Sequence, residues 1–234
     1  MFDYLSAENR PSEPEGAVVF GRHDSRLVDG MSSLSTDGLA KYFIISGWLG
    51  KDSGYLRDLK LPEADYLAAV ATGAPYNIPP EMIYRETKAL NGGDNARYSL
   101  DMIDEHNLPR YSLTALAHAT SLRRLAATLE FEGAKKTKPT TMVHRVATDY
   151  PFDATNTLDQ IEAAAEFMRL VEWPAKGWLG PQEDLPQDLI EFAAANSQKV
   201  PKPPAAAASQ VLNKFPPKAR LTVMDWAARR YNRH

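Results

Sequence analysis

The chain has 234 residues, 44% of them hydrophobic, enough for one large domain or for a domain with an appendage. A formal net charge of −3, with 24% charged residues, gives no electrostatic reason to expect nucleic acid or an anionic membrane as partner. The lack of cysteine excludes disulfides, a thiol nucleophile and zinc–thiolate sites, and fits a reducing compartment.

Residues 1–16 are acidic and polar, without the apolar run of a signal peptide, and read as a lead-in or short helix. No window approaches ~18 uninterrupted apolar residues, so a soluble, cytoplasmic protein without a membrane span is expected. Residues 17–20 (AVVF) are a short apolar run that stops at Gly21, as a buried parallel strand would. Residues 25–40 carry Leu27, Met31, Leu34 and Leu39 at roughly helical spacing, with Gly38 as a stop signal. Residues 42–46 (YFIIS) are the clearest strand and run into the glycine-rich loop 47–54. Pro62 and Glu63 open a helix to residue 74, with Tyr66, Leu67 and Val70 on one face.

A third strand is expected over 82–86 and a third helix over 94–106. A fourth strand follows at 113–117, then a helix at 120–132 striped by Leu122, Leu125 and Leu129. A fifth strand fits 141–147 and a fifth helix 158–171. This βα alternation with short connections implies an α/β fold, with a mainly parallel sheet of about five strands and helices on both faces.

After Trp173-Pro174 the character changes. Residues 183–196 suit an amphipathic helix, and the Pro/Ala-rich stretch 198–218 suits a linker or a strap on the core. The last segment, 219–234, lines up Leu221, Met224, Ala228 and Tyr231 for docking on the core or on a second copy, so a homodimer through C-terminal helices is one expectation. The organisation expected is a lead-in at 1–16, a main domain at 17–173 and a helical extension at 174–234.

In a parallel sheet with right-handed crossovers the strand C-termini share one edge, where ligands bind. Polar residues follow each strand. Gly21, Arg22, His23, Asp24 and Ser25 follow the first; Ser46, Gly47 and Gly50 the second; Glu86, Asn91 and Asn95 the third; His118, Thr120, Arg123 and Arg124 the fourth. Gly21 and Gly47 let backbone N–H groups approach a ligand. Arg22, Arg123 or Arg124 can hold a phosphate or carboxylate. Glu86 can accept from ribose hydroxyls or an amine, or act as a general base, and His118 is a candidate acid/base group. Asn91 and Asn95 can bind a ligand or simply cap the turn and helix. No metal-ligand spacing stands out, and GxGxxG, GxxxxGK[ST], GxSxG and HExxH motifs are absent.

The stretches VVFGRHDSR, FIISGWLG, PEADYLAAV, RETKALNGGDNARYSL and HATSLRRLAATL together resemble the YdcF/SanA-like family, a bacterial domain of poorly defined function. The resemblance covers about residues 17–150. Ser46, Gly47, Glu63, Glu86, Asn91, Asn95, Ala96 and Arg123-Arg124 match its pattern, whereas Trp48, Ala89, Gly92 and Asp94 depart from it. It implies a Rossmann-like three-layer fold with a pocket at the strand C-termini. The soluble, YdcF-type branch is the closer one, and its association with S-adenosylmethionine makes that molecule, or another nucleotide-type ligand, the expected small-molecule partner. A hydrolase or transferase acting on a phosphate- or pyrophosphate-containing substrate is the alternative, with Glu86, Glu63 and His118 near anion-binding groups. A non-catalytic interaction module using the C-terminal helices is a third reading.

Overall fold

The computed structural model describes residues 1–197 except 14, 51, 52, 141 and 184. Five strands, β1 (Glu15–Phe20), β2 (Ala40–Ser46), β3 (Ile83–Glu86), β4 (Ser112–Ala117) and β5 (Met142–Ala147), form one sheet in the order β3-β2-β1-β4-β5. Every pairing between these strands is parallel. Among the described residues seven α-helices accompany it: α1 (Phe2–Ser6), α2 (Arg26–Thr36), α3 (Glu63–Thr72), α4 (Gly92–Glu105), α5 (Leu122–Ala134), α6 (Thr157–Glu172) and α7 (Gln187–Asn196). This is a Rossmann-like three-layer αβα fold, and the order reverses between β1 and β4, the position at which such sheets open a crevice at their carboxyl edge.

The near-continuous apolar runs of β1 and β2 are what a strand covered on both faces requires. Ala17, Val19, Phe43, Ile45 and Leu116 meet Met31 and Leu34 of α2 and Tyr66 and Leu67 of α3. On the opposite face Val18, Phe20, Ile44 and Ala115 meet Leu100 and Ile103 of α4 and Leu122, Leu125 and Leu129 of α5. A third cluster gathers Leu5 of α1, Ala127 of α5, Phe167 and Leu170 of α6, Ala193 of α7, and Leu179 from the segment between α6 and α7. The acidic lead-in therefore contributes a short helix anchored by Leu5, and Phe2 stacks on Phe152 with centroids 4.3 Å apart.

Element boundaries differ slightly from the sequence expectation. α2 stops at Thr36 because Asp37 and the left-handed Gly38 (φ +68°) turn the chain, so β2 starts at Ala40. α5 begins at Leu122 rather than Thr120, since the Ser121 N–H closes a turn on the His118 carbonyl. The 198–218 strap and the 219–234 helix lie outside the described residues.

Gly16 opens β1 under the ring of Tyr42, whose hydroxyl donates to the Pro109 carbonyl at 2.5 Å. A Cβ at residue 16 would stand 2.1 Å from Tyr42 Cζ, and that ring is buried and tethered at its far end. Gly16→Ala is therefore expected to destabilise the protein by about 1–3 kcal/mol, the range for overpacking a core, in urea unfolding; an unchanged or raised midpoint would count against this account of the β1–β2 contact.

Candidate functional site

The carboxyl edge of the sheet carries two adjoining polar clusters. The first surrounds the ends of β1, β2 and β3. The Gly21 N–H donates to the Ser46 carbonyl at 2.7 Å and the Gly47 N–H to the Glu86 carbonyl at 3.0 Å, while the Ala64 N–H donates to the Gly47 carbonyl at 3.0 Å. Proline at residue 62 directs the chain into α3, and Glu63 stands at the helix's first position, where the helix dipole favours a carboxylate. Its side chain, buried, lies over both glycine turns: Oε2 would be 3.0 Å from a Cβ on Gly21 and 2.7 Å from one on Gly47. Gly47 also has φ +152°, where side chains are rarely tolerated. Oε1 of Glu63 accepts from the Ser53 hydroxyl at 2.7 Å.

Glu86 is buried beside it, but is turned onto its own loop. Oε2 accepts from the Ser46 hydroxyl at 2.6 Å, and both oxygens receive the Ala89 N–H at 3.2 and 3.3 Å. Such a carboxylate braces the β3–α4 loop. Asn91 is the N-cap of α4: its Oδ1 accepts from the Asp94 N–H at 3.0 Å and its Nδ2 donates to Asp94 Oδ2 at 2.7 Å. Asn95, one turn in, is buried with Oδ1 3.3 Å from the Ser46 hydroxyl, so it borders the cluster.

The second cluster sits at the β1–β4 crevice. Arg22 donates from Nη1 to Glu162 Oε1 of α6 at 3.0 Å, and Asp24 takes Nε and Nη2 of Arg26 at 2.8 and 2.7 Å. The buried His118 has Nδ1 2.9 Å from the Thr120 hydroxyl, which itself lies 2.9 Å from Glu162 Oε1. The His118 ring packs edge-on against Tyr150, whose hydroxyl donates to Asp159 Oδ1 at 2.8 Å, and Arg26 lies over the other ring, with Cζ 4.9 Å from the Tyr150 centroid.

The protonation states follow from these contacts. Burial opposes ionisation of Glu162, but Arg22, His118 and the Thr120 hydroxyl more than offset it, so its carboxyl is held below the ordinary range. Burial likewise opposes ionisation of Asp24, and the Arg26 hydrogen bonds reverse the balance. A carboxylate cannot donate, so Thr120 gives its single proton to Glu162 and accepts from His118 Nδ1–H. Nε2 is then the nitrogen with the lone pair. It lies 3.8 Å from Asp24 Oδ2, beyond hydrogen-bond reach. Burial first, and then the Arg22 charge, push the imidazole from 6.5 down to about 4, so it is neutral near pH 7.

The two arginines on α5 separate from both clusters. Arg124 is buried in a pair with Glu166 (Nε–Oε2 2.5 Å), while its Nη1 borders Gly92 at the start of α4. Arg123 faces away, with Cζ 3.8 Å from the Tyr4 centroid, and lines a cavity of about 170 Å³ with Glu130 and Arg145. The structure thus brings Gly21, Ser46, Gly47, Glu63, Glu86 and Asn95 together on one side, and Arg22, His118 and Thr120 on the other. It adds Ser53, Tyr150 and Glu162, which the strand-end rule passes over. Glu162 shares a helix face with Glu166 at i, i+4, a signal for an acidic helix face but not for its partners. Among the described residues no group of three or more His, Cys, Asp or Glu side chains is arranged to hold a metal ion.

No family model matches the chain, and no curated protein does.

The His118 chain is testable by ¹⁵N NMR. The folded protein should carry its proton on Nδ1 at pH 7, and Thr120→Val should erase that preference; a wild-type Nε2–H tautomer would sink the assignment. Because the folded value lies below the ordinary one, the unfolded chain takes up a proton that the folded chain refuses. Stability should then fall as pH drops from about 6.5 to about 4, and this part of the slope should vanish in His118→Asn.

Proposed function

We propose that this chain binds a nucleotide-type small molecule, with S-adenosylmethionine foremost, at the carboxyl edge of its sheet, as a YdcF-like protein would. One observation carries the reading: the Glu63 carboxylate lodged over Gly21 and Gly47. Glycine turns at this edge commonly cradle phosphates with bare N–H groups. Here a carboxylate fills that space, which disfavours a phosphate there and suits ribose hydroxyls, an α-amino group or a cationic sulfonium. The neighbouring hydroxyls of Ser46 and Ser53 extend the same hydrogen-bonding preference.

Isothermal titration of S-adenosylmethionine into the protein should give saturable binding that Glu63→Gln weakens about tenfold or more, the scale expected for a hydrogen bond to a charged group. A melting curve on the variant separates lost binding from lost fold. No heat with the wild type, or an unchanged affinity in a folded Glu63→Gln, would remove the basis of the reading.

A second reading, hydrolysis or transfer of a phosphate-containing group, is favoured by the crevice cluster. The neutral His118 offers Nε2 as a general base, beside Arg22 and Arg26. In this reading a phosphate-release assay on pyrophosphate-linked nucleotides should show activity that His118→Asn lowers by about 10²-fold or more. Equal release by the two proteins, or none by either, excludes it.

A further inference from the structure

At the opposite end of the sheet, a cavity of about 620 Å³ is lined by Asp104, Leu108, Arg110, Tyr111, Lys138 and Pro139, among others. That volume is in the range of small-molecule sites. Its residues come from the end of α4, the turn into β4 and the segment before β5. The turn is anchored, because Tyr42 passes over Gly16 to donate to the Pro109 carbonyl.

Arg110 is the informative residue. It is 6% exposed, and its Nε and Nη1 have no hydrogen-bond partner among the described residues. Asp104 Oδ1 lies 2.8 Å from Nη1, close enough for an ion pair but not aligned as a hydrogen bond. The other Asp104 oxygen is 4.0 Å from Lys136 Nζ. Asp104 is itself well exposed, so it offsets the guanidinium charge without satisfying its N–H groups. Buried N–H groups of a cation without acceptors are costly, and an anionic ligand supplies what they lack. Lys138 adds a second positive charge to the wall, and Tyr111, 73% exposed, presents an aromatic ring at the rim.

We propose that this cavity is a second binding site, for a phosphate or carboxylate group carried on a flat apolar body: the anion against Arg110 and Lys138, the planar part on Tyr111 and the adjoining prolines. It is independent of the carboxyl-edge reading, since a strand of this length separates the two ends by roughly 20 Å.

The probes are phenyl phosphate and inorganic phosphate, titrated into the full chain at low ionic strength. Phenyl phosphate should bind saturably and more tightly than inorganic phosphate. Arg110→Lys should weaken phenyl phosphate about tenfold, and Tyr111→Ala should reduce it to the level of inorganic phosphate. S-adenosylmethionine should not displace it. The proposal is overturned by absent saturable binding, by displacement, or by both variants binding as the wild type does. Should Arg110→Lys fail to fold, the exposed Tyr111→Ala decides alone: a retained preference for phenyl phosphate overturns the site.

Discussion

Gly47 is the node on which the carboxyl edge depends. Its N–H is given to the end of β3 and its carbonyl to the first turn of α3, while Gly21 reaches the neighbouring Ser46 carbonyl. Three strand ends and a helix start are thereby joined by backbone hydrogen bonds, in a space with no room for a Cβ. The consequence is chemical as well as structural. With the backbone donors consumed inside the knot, the side chain that fills the gap, Glu63, sets the character of this part of the edge, and that character is acidic.

The crevice beside it is organised differently. Its charges come in matched pairs, Arg22 with Glu162 and Asp24 with Arg26, arranged around a neutral imidazole. Paired charges keep their ionised forms in a partly buried setting, whereas burial and the neighbouring Arg22 charge strip His118 of its proton despite Glu162 and Asp24 nearby. The edge thus places buried carboxyl groups at β1–β3, and a neutral imidazole flanked by paired guanidinium groups at β1–β4.

Much of the architecture was legible in the chain. Strands buried on both faces must be apolar throughout, so AVVF and YFIIS announced themselves, and Leu122, Leu125 and Leu129 spaced out a helix face. Sequence order and the handedness of crossovers then place the strand ends on one edge. What a strand-end rule does not supply is the pairing between side chains distant in sequence. Arg123 and Arg124 are adjacent, yet 100° of helical rotation sends one toward Tyr4 and the other to Glu166. Glu162 enters the crevice because α6 packs against α1, α5 and α7, an arrangement dictated by the third apolar cluster rather than by any motif. Asn91 illustrates the reverse case: its position before a helix makes a cap, and the local contacts fulfil that requirement completely.

Both ends of the sheet use the same device. At the amino edge the bare Gly16 admits Tyr42, which crosses to the turn before β4. At the carboxyl edge Gly21 and Gly47 admit Glu63 from α3. In each case a missing Cβ lets a large side chain from a neighbouring strand or helix enter the sheet margin, where it hydrogen-bonds to an adjoining loop, Tyr42 to Pro109 and Glu63 to Ser53. Tyr42 stays protonated because burial disfavours the phenolate more strongly than nearby Arg110 favours it, so its hydroxyl remains a donor to Pro109. Glu63, at a helix N-terminus with a serine donor, is placed to act as an acceptor. The sheet margin therefore presents acceptors at one end and unmet guanidinium donors at the other. That polarity follows from which side chain each glycine gap admits: Glu63 itself at the carboxyl edge, and at the amino edge Tyr42, which fixes the turn that carries Arg110.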